Sequence, residues 1–188
     1  MSISQIHDAA WRKNNKGKLI ADSSGNISNP FQYGSGHFRP AKAADPGLVY
    51  DTTHQDYLLY LCSYGYKQVD PKFKCPKVLP PTYDLNYPSV AIPKLNGTIS
   101  IKRTVTNVGA KNSVYFFSAK PPVGFSVKAS PSVLFFDRVG QKRSFTIAVE
   151  ARNFRGAKKY YKDDYAFGWF TWADTSHYVR SPVAVSLA

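Results

Sequence analysis

The chain has 188 residues, 43% of them hydrophobic and 15% aromatic, which is enough apolar mass for a core and too much for disorder throughout. Its net charge of +13 favours polyanionic partners, yet no helix-turn-helix, zinc-finger or RNA-recognition signature accompanies it, so specific nucleic-acid recognition is not expected. No apolar run is long enough to span a bilayer.

In chain order, Ser2 and Gln5 have capping-box spacing, and Ile3, Ile6 and Ala10 share a helical face, so a short helix is expected over 2–11. The same stretch meets His7 and Asp8 before an apolar core develops, which is not the pattern of a secretory signal peptide. From Asn14 to Tyr50, glycines and prolines interrupt every regular element, so the segment reads as a long loop built to pack on something else. Over residues up to about Gly65, Phe31, Tyr33, Phe38, Leu48 and Tyr57 are the apolar side chains then left without cover. Thr52 and Gln55 mark the start of a second short helix, with Tyr57, Leu58, Leu61 and Cys62 on its apolar face and Gly65 at its C-terminal cap. A basic, proline-containing connector runs from Lys67 to Pro81.

After Tyr83 the hydrophobic period changes to two. Phe125, Val127 and Ala129 alternate with polar neighbours, as do Phe145, Ile147 and Val149, and Val183, Val185 and Leu187. Further strands are expected at 99–107, 114–119, 133–136 and 165–172, with turn signals at Asn96-Gly97, Val108-Gly109, Pro121-Pro122 and Val139-Gly140. About seven short strands in a hundred residues predict a mainly β fold: an antiparallel sandwich of the immunoglobulin or fibronectin III type, preceded by a loop-rich segment with two short helices. The basic residues cluster at Arg12–Lys18, Lys67–Lys77 and Arg152–Lys162. Solvated loop surface explains each cluster, with an acidic cell-wall polysaccharide as a weak, non-specific partner.

Several motifs resemble plant subtilisin-like serine proteases (subtilases). Asn29-Pro30-Phe31-Gln32-Tyr33-Gly34-Ser35-Gly36-His37 is similar to the glycine-rich stretch after the family's catalytic-serine helices. Asp45-Pro46-Gly47-Leu48-Val49-Tyr50-Asp51 is similar to its next signature, and Asp56-Tyr57-Leu58 through Gly65-Tyr66 to the last helix of its catalytic domain. Asp84-Leu85-Asn86-Tyr87-Pro88-Ser89 and Arg103-Thr104-Val105-Thr106-Asn107-Val108-Gly109 resemble the entry to its fibronectin III-like domain, and 165–172 and 179–185 its last strands. The resemblance implies residues 1–82 as the end of a catalytic domain with a connector, and 83–188 as a fibronectin type III-like domain.

It also implies that catalytic Asp, His and Ser belong upstream; the Gly-Thr-Ser-Met run of the family's nucleophile is not in this sequence. No residue here is assigned a catalytic role, and no cofactor or metal is expected. Ser35 and His37 do not form the strand-turn-helix elbow a serine nucleophile needs. His7, His37, His54 and His177 show no metal-ligand spacing and read as surface or cap residues. Cys62 and Cys75 are either two free thiols or a bridge, and resemblance to a secreted family favours the bridge, worth about 3 kcal/mol by loop closure. Asn26-Ile27-Ser28 and Asn96-Gly97-Thr98 are glycosylation sequons, used only where the chain is secreted. The expected partner is the remainder of a subtilase catalytic domain, and the expected location is the apoplast or cell wall. Three functional readings follow: a supporting C-terminal part of a serine endopeptidase, inactive alone; an incomplete reading of an active secreted endopeptidase; and a non-enzymatic module for a protein or an acidic polysaccharide.

Overall fold

Strands whose alternate side chains point inward must bury them against another layer, and with few helices predicted in the chain that layer is a second sheet. In the computed structural model, which describes residues 21, 23–25, 28–35, 40–152 and 165–188, two sheets do so. One has the order β1-β3-β7-β5, built from β1 (Leu48–Val49), β3 (Thr98–Asn107), β7 (Lys142–Ala151) and β5 (Phe125–Ser130). The other has the order β2-β9-β8-β4-β6, from β2 (Val90–Leu95), β9 (Tyr178–Leu187), β8 (Ala166–Ala173), β4 (Ser113–Lys120) and β6 (Val133–Phe136). Every pairing is antiparallel except β2 with β9, which is parallel.

The periodicity read from sequence places the core. Ile101, Val105, Phe145, Ile147 and Val149 face inward from the first sheet; Tyr115, Phe170, Trp172, Val179, Val183 and Val185 face them from the second. Phe145 meets Trp172 edge-on across the layer, ring centroids 5.0 Å apart, an arrangement that adds about 1 kcal/mol to the area it buries. β9 begins five residues before the alternation at Val183, because Tyr178 to Pro182 already pair with β8. β2 lies outside the expected strands. Pro93 breaks its pattern, and a bulge between Ile92 and Leu95 turns Lys94 to φ 53°, where its amide donates to Ser186 Oγ at 2.9 Å.

Ahead of the sandwich, α1 (Pro30–Tyr33) and α2 (Pro40–Ala43) are single turns, and α3 spans His54–Ser63. The α3 cap falls one residue later than Thr52. Thr53 Oγ1 accepts the Asp56 amide at 3.2 Å, and Asp56 Oδ2 accepts the Thr53 amide at 2.7 Å. A carboxylate competes better than the Gln55 amide for the positive end of a helix. At the other end Gly65 N donates to Cys62 O (2.9 Å) and Tyr66 N to Leu61 O (3.1 Å), a Schellman pair. The expected helix over 2–11 lies outside the described residues.

The apolar side chains ahead of the sandwich divide. Tyr57 is 44% exposed and Phe31 59%, yet Phe31 meets Tyr165 and Phe167 of the sandwich edge-on, ring centroids 4.9 and 5.4 Å apart, and Tyr33 is half-buried. Leu48 corrects the expectation: it is 0% exposed because β1 pairs with β3 and inserts it into the sandwich core. Phe38 lies outside the described residues.

Candidate functional site

The motifs at 45–51, 84–89 and 103–109 are far apart in sequence, and the fold brings them together. Gly47 O accepts two successive amides, Val108 N at 2.8 Å and Gly109 N at 3.0 Å. Gly47 has φ +68°, and a Cβ there would lie 2.6 Å from Tyr115 Oη and 2.7 Å from His177 Cγ. Both the backbone conformation and the packing therefore demand glycine. Downstream, Leu48 pairs with Asn107 and Val49 with Thr106. Tyr50 is buried, its hydroxyl 3.1 Å from Ser181 Oγ; burial raises its pKa to about 12 against the opposing effects of that bond and the Arg103 charge. Asp51 ends the segment: its Oδ2 accepts Thr106 Oγ1 and lies 3.2 Å from Lys142 Nζ. The Thr106 bond, opposed by partial burial and helped by Lys142, holds the Asp51 carboxyl below its usual range.

Asn86 fastens the second motif to both others. Its Nδ2 donates to Asp51 O at 2.9 Å and to Thr104 O at 2.8 Å, while its Oδ1 accepts Thr104 N at 2.9 Å. Thr52 Oγ1 donates to Asn86 O at 2.8 Å. Arg103 is 3% exposed and donates from Nε to Tyr87 O (3.0 Å) and from Nη1 to Lys102 O (2.9 Å), so carbonyl dipoles solvate it inside the fold. Burial lowers its pKa. Asn107 Nδ2 donates to Ala110 O at 2.8 Å and its Oδ1 accepts Gly109 N at 3.2 Å, shaping the turn that presents amides to Gly47.

The sequence context of His177 predicts a surface or cap residue. The structure buries it at this junction instead, with its side chain 11% exposed. Nδ1 lies 2.9 Å from Asp174 Oδ2 and Nε2 lies 3.1 Å from Asp45 Oδ2; the second contact is an ion pair without hydrogen-bond alignment. Tyr115 Oη is 3.4 Å from Nδ1. Burial opposes a charged ring, but the Asp174 bond and the charges of Asp174 and Asp45 outweigh it, so the His177 pKa is raised. For Asp174 burial is likewise outweighed, by bonds from His177 and from the Ser176 and His177 amides, and its pKa is lowered. Burial, reinforced by Asp174 and Asp45, raises the Tyr115 pKa. The one sequence signal was the Asp174-x-x-His177 spacing; Asp45, 132 positions from His177, left none. Both ring nitrogens face carboxylates rather than a serine or cysteine nucleophile. The cluster is a clamp on the 45–51 segment.

Other singled-out residues lie elsewhere. Cys62 and Cys75 are joined, with S–S 1.96 Å and Cα–Cα 5.8 Å. Asn96 is exposed at the tip between β2 and β3, whereas Asn26 lies outside the described residues. Ser35 is exposed, His54 is the exposed first residue of α3, and His7 and His37 lie outside the described residues. Of the basic clusters, Lys67, Lys72, Lys74 and Lys77 are described and exposed, as is Arg152; the rest are not described. Among the described residues no group of His, Cys, Asp or Glu is arranged to hold a metal, and no helix is long and apolar enough to cross a membrane.

A family model described as "Fibronectin type-III domain" matches residues 84–185. Over 98% of its length the chain is 54% identical to subtilisin-like protease SBT5.6 of Arabidopsis thaliana, covering 24% of that protein. It is 50% identical to SBT5.5 of the same plant, again over 98% of this chain and 23% of the relative. The chain thus spans about a quarter of the length of these relatives. Among solved structures, an ASH/PapD-like domain of human CEP192 superposes with TM-score 0.37 at 11% identity, covering 64% of this chain and 97% of that one, a likeness too weak to carry an argument.

Proposed function

From a chain that belongs to the fibronectin type-III domain family, and that corresponds to the C-terminal, fibronectin-like region of plant subtilisin-like proteases, we propose a supporting function: it braces the catalytic domain of a serine endopeptidase and is inactive alone. The observation that carries this is the clamp. The 45–51 segment enters the sandwich through Gly47, Leu48, Tyr50 and Asp51, so whatever precedes it is fixed to the sandwich. Tyr57 on α3 and Tyr64 and Tyr66 just after it are exposed, aromatic surface suited to a large packed neighbour. An extracellular or cell-wall location fits the Cys62–Cys75 bridge, which persists in oxidising surroundings, and there exposed Asn96 is a glycan acceptor.

A serine-directed fluorophosphonate is expected to leave the purified chain unlabelled. Refolded with a relative's catalytic portion that lacks the matching region, the chain is expected to restore peptidase activity, and Gly47→Val to restore less. Specific labelling of the chain alone would overturn the reading, as would a catalytic portion equally active without it.

A further inference from the structure

The connector after α3 is a covalent ring. The Cys62–Cys75 bridge ties residue 75 to the last turn of α3, and Ser63 Oγ adds a second tie by donating to Pro80 O at 2.8 Å. Within the ring, Asp70 Oδ1 accepts Lys72 N at 2.7 Å and Asp70 O accepts Phe73 N at 3.1 Å, so the bend is held locally. A concavity of ≈ 770 Å³ opens beside the ring, lined among others by Lys67, Asp70, Phe73 and Lys74 within it and by Lys77 just past it. Lys72 flanks it, and all these lysines are exposed. None of them pairs with a carboxylate among the described residues.

Four cations against one carboxylate, three of the lysines inside the disulfide loop and Lys77 two residues past it, form a concave positive surface with its counterions supplied by solvent. We propose that this disulfide-closed ring is a binding site for an acidic glycan, a polymer of carboxylate-bearing sugars. Lysines are separate point charges, suited to carboxylates distributed along a polymer rather than to one phosphate gripped by a fork. Half-buried Phe73 supplies an apolar floor for a sugar ring. The bridge persists in oxidising surroundings, where an acidic glycan is a polyanion the ring would meet. The inference stands apart from the bracing function above, since the ring lies outside the clamp.

The test uses the intact chain and polygalacturonate oligomers, with the methyl-esterified polymer, polyglutamate and single-stranded DNA as competitors. Amide shifts on titration should concentrate at 64–79. Lys67→Glu/Lys74→Glu/Lys77→Glu is expected to weaken binding about tenfold or more, while reversing exposed sandwich lysines, Lys102→Glu/Lys111→Glu/Lys128→Glu, changes it about twofold or less. Cys62→Ser/Cys75→Ser should lose affinity several-fold with the near-ultraviolet signal of the sandwich tryptophans retained. Lys67→Ala/Lys74→Ala/Lys77→Ala gives the same answer without charge reversal. Equal losses from ring and sandwich reversals, shifts centred elsewhere, unchanged binding by the esterified polymer, or tighter binding of polyglutamate or DNA would each overturn the proposal.

Discussion

Gly47 and His177 meet face to face, and each carries a prediction. Gly47→Ala must place a methyl within 3 Å of Tyr115 and His177 at a positive φ, and is expected to cost about 2–3 kcal/mol in denaturant unfolding. Gly97→Ala, at φ +78° with nothing within 4 Å, pays only the backbone part and should cost about 1 kcal/mol. The His177 prediction concerns pH. Its pKa is raised by Asp174 and Asp45, so its contribution is complete below the unfolded value of 6.5 and is lost as pH rises through the higher folded value. Asp174 and Asp51 are lowered, so theirs is complete above 3.8 and is lost as pH falls through the lower folded values. Stability should therefore peak between about 4 and 6.5. Because Asp45 is 71% exposed, its share is screened and the slope modest. Thermal melts from pH 5 to 9 should show the wild type declining above 6.5 and His177→Gln less stable but flat there. A variant with the same decline would assign the titration to another group.

At the scale of elements, β3 and the later strands were legible because each buries one face, and period-two alternation records that burial directly. β2 was hidden by Pro93, tolerated because the bulge leaves the ladder before Leu95 resumes it. Pro182 in β9 is tolerated for a related reason: pairing with β2 starts one residue later, at Val183. β1 has two residues, too few for any period to register, yet it buries Leu48 completely. Leu48→Ala is therefore expected to destabilise the sandwich itself by about 2–5 kcal/mol, a core substitution ahead of the first predicted strand. A cost below about 1 kcal/mol would mean that β1 rests on the sandwich without belonging to its core.

For the whole molecule, sequence gave the sandwich and left the clamp invisible. The clamp joins positions such as Tyr50 and Ser181, 131 apart, whose spacing carries no local signal. Its motifs could be recognised as motifs without showing that they touch. The fold also redraws where protection should begin. The 14–50 stretch reads in sequence as a long loop built to pack on something else, whereas the structure ties 47–51 into sheet and core. Native-state hydrogen exchange should show the amides of Leu48 and Val49 exchanging with the slow class of β3, while connector amides from Lys67 to Leu79 exchange fast. Fast exchange at Leu48 and Val49 would dissolve the clamp.

The outer side of β3 shows what else the Asn86 bonds accomplish. β1 covers only the end of that strand, and a bare edge invites another chain to add itself as a strand. Asp84 Oδ1 accepts Lys102 N at 3.4 Å, and the Asn86 amide meets both Thr104 N and Thr104 O, so one side chain stands where a neighbouring peptide group would. Residues 84–86 thus act as a counterfeit strand against self-assembly. Asn86→Ala should reveal it as concentration-dependent oligomers in sedimentation, formed while the monomer remains folded.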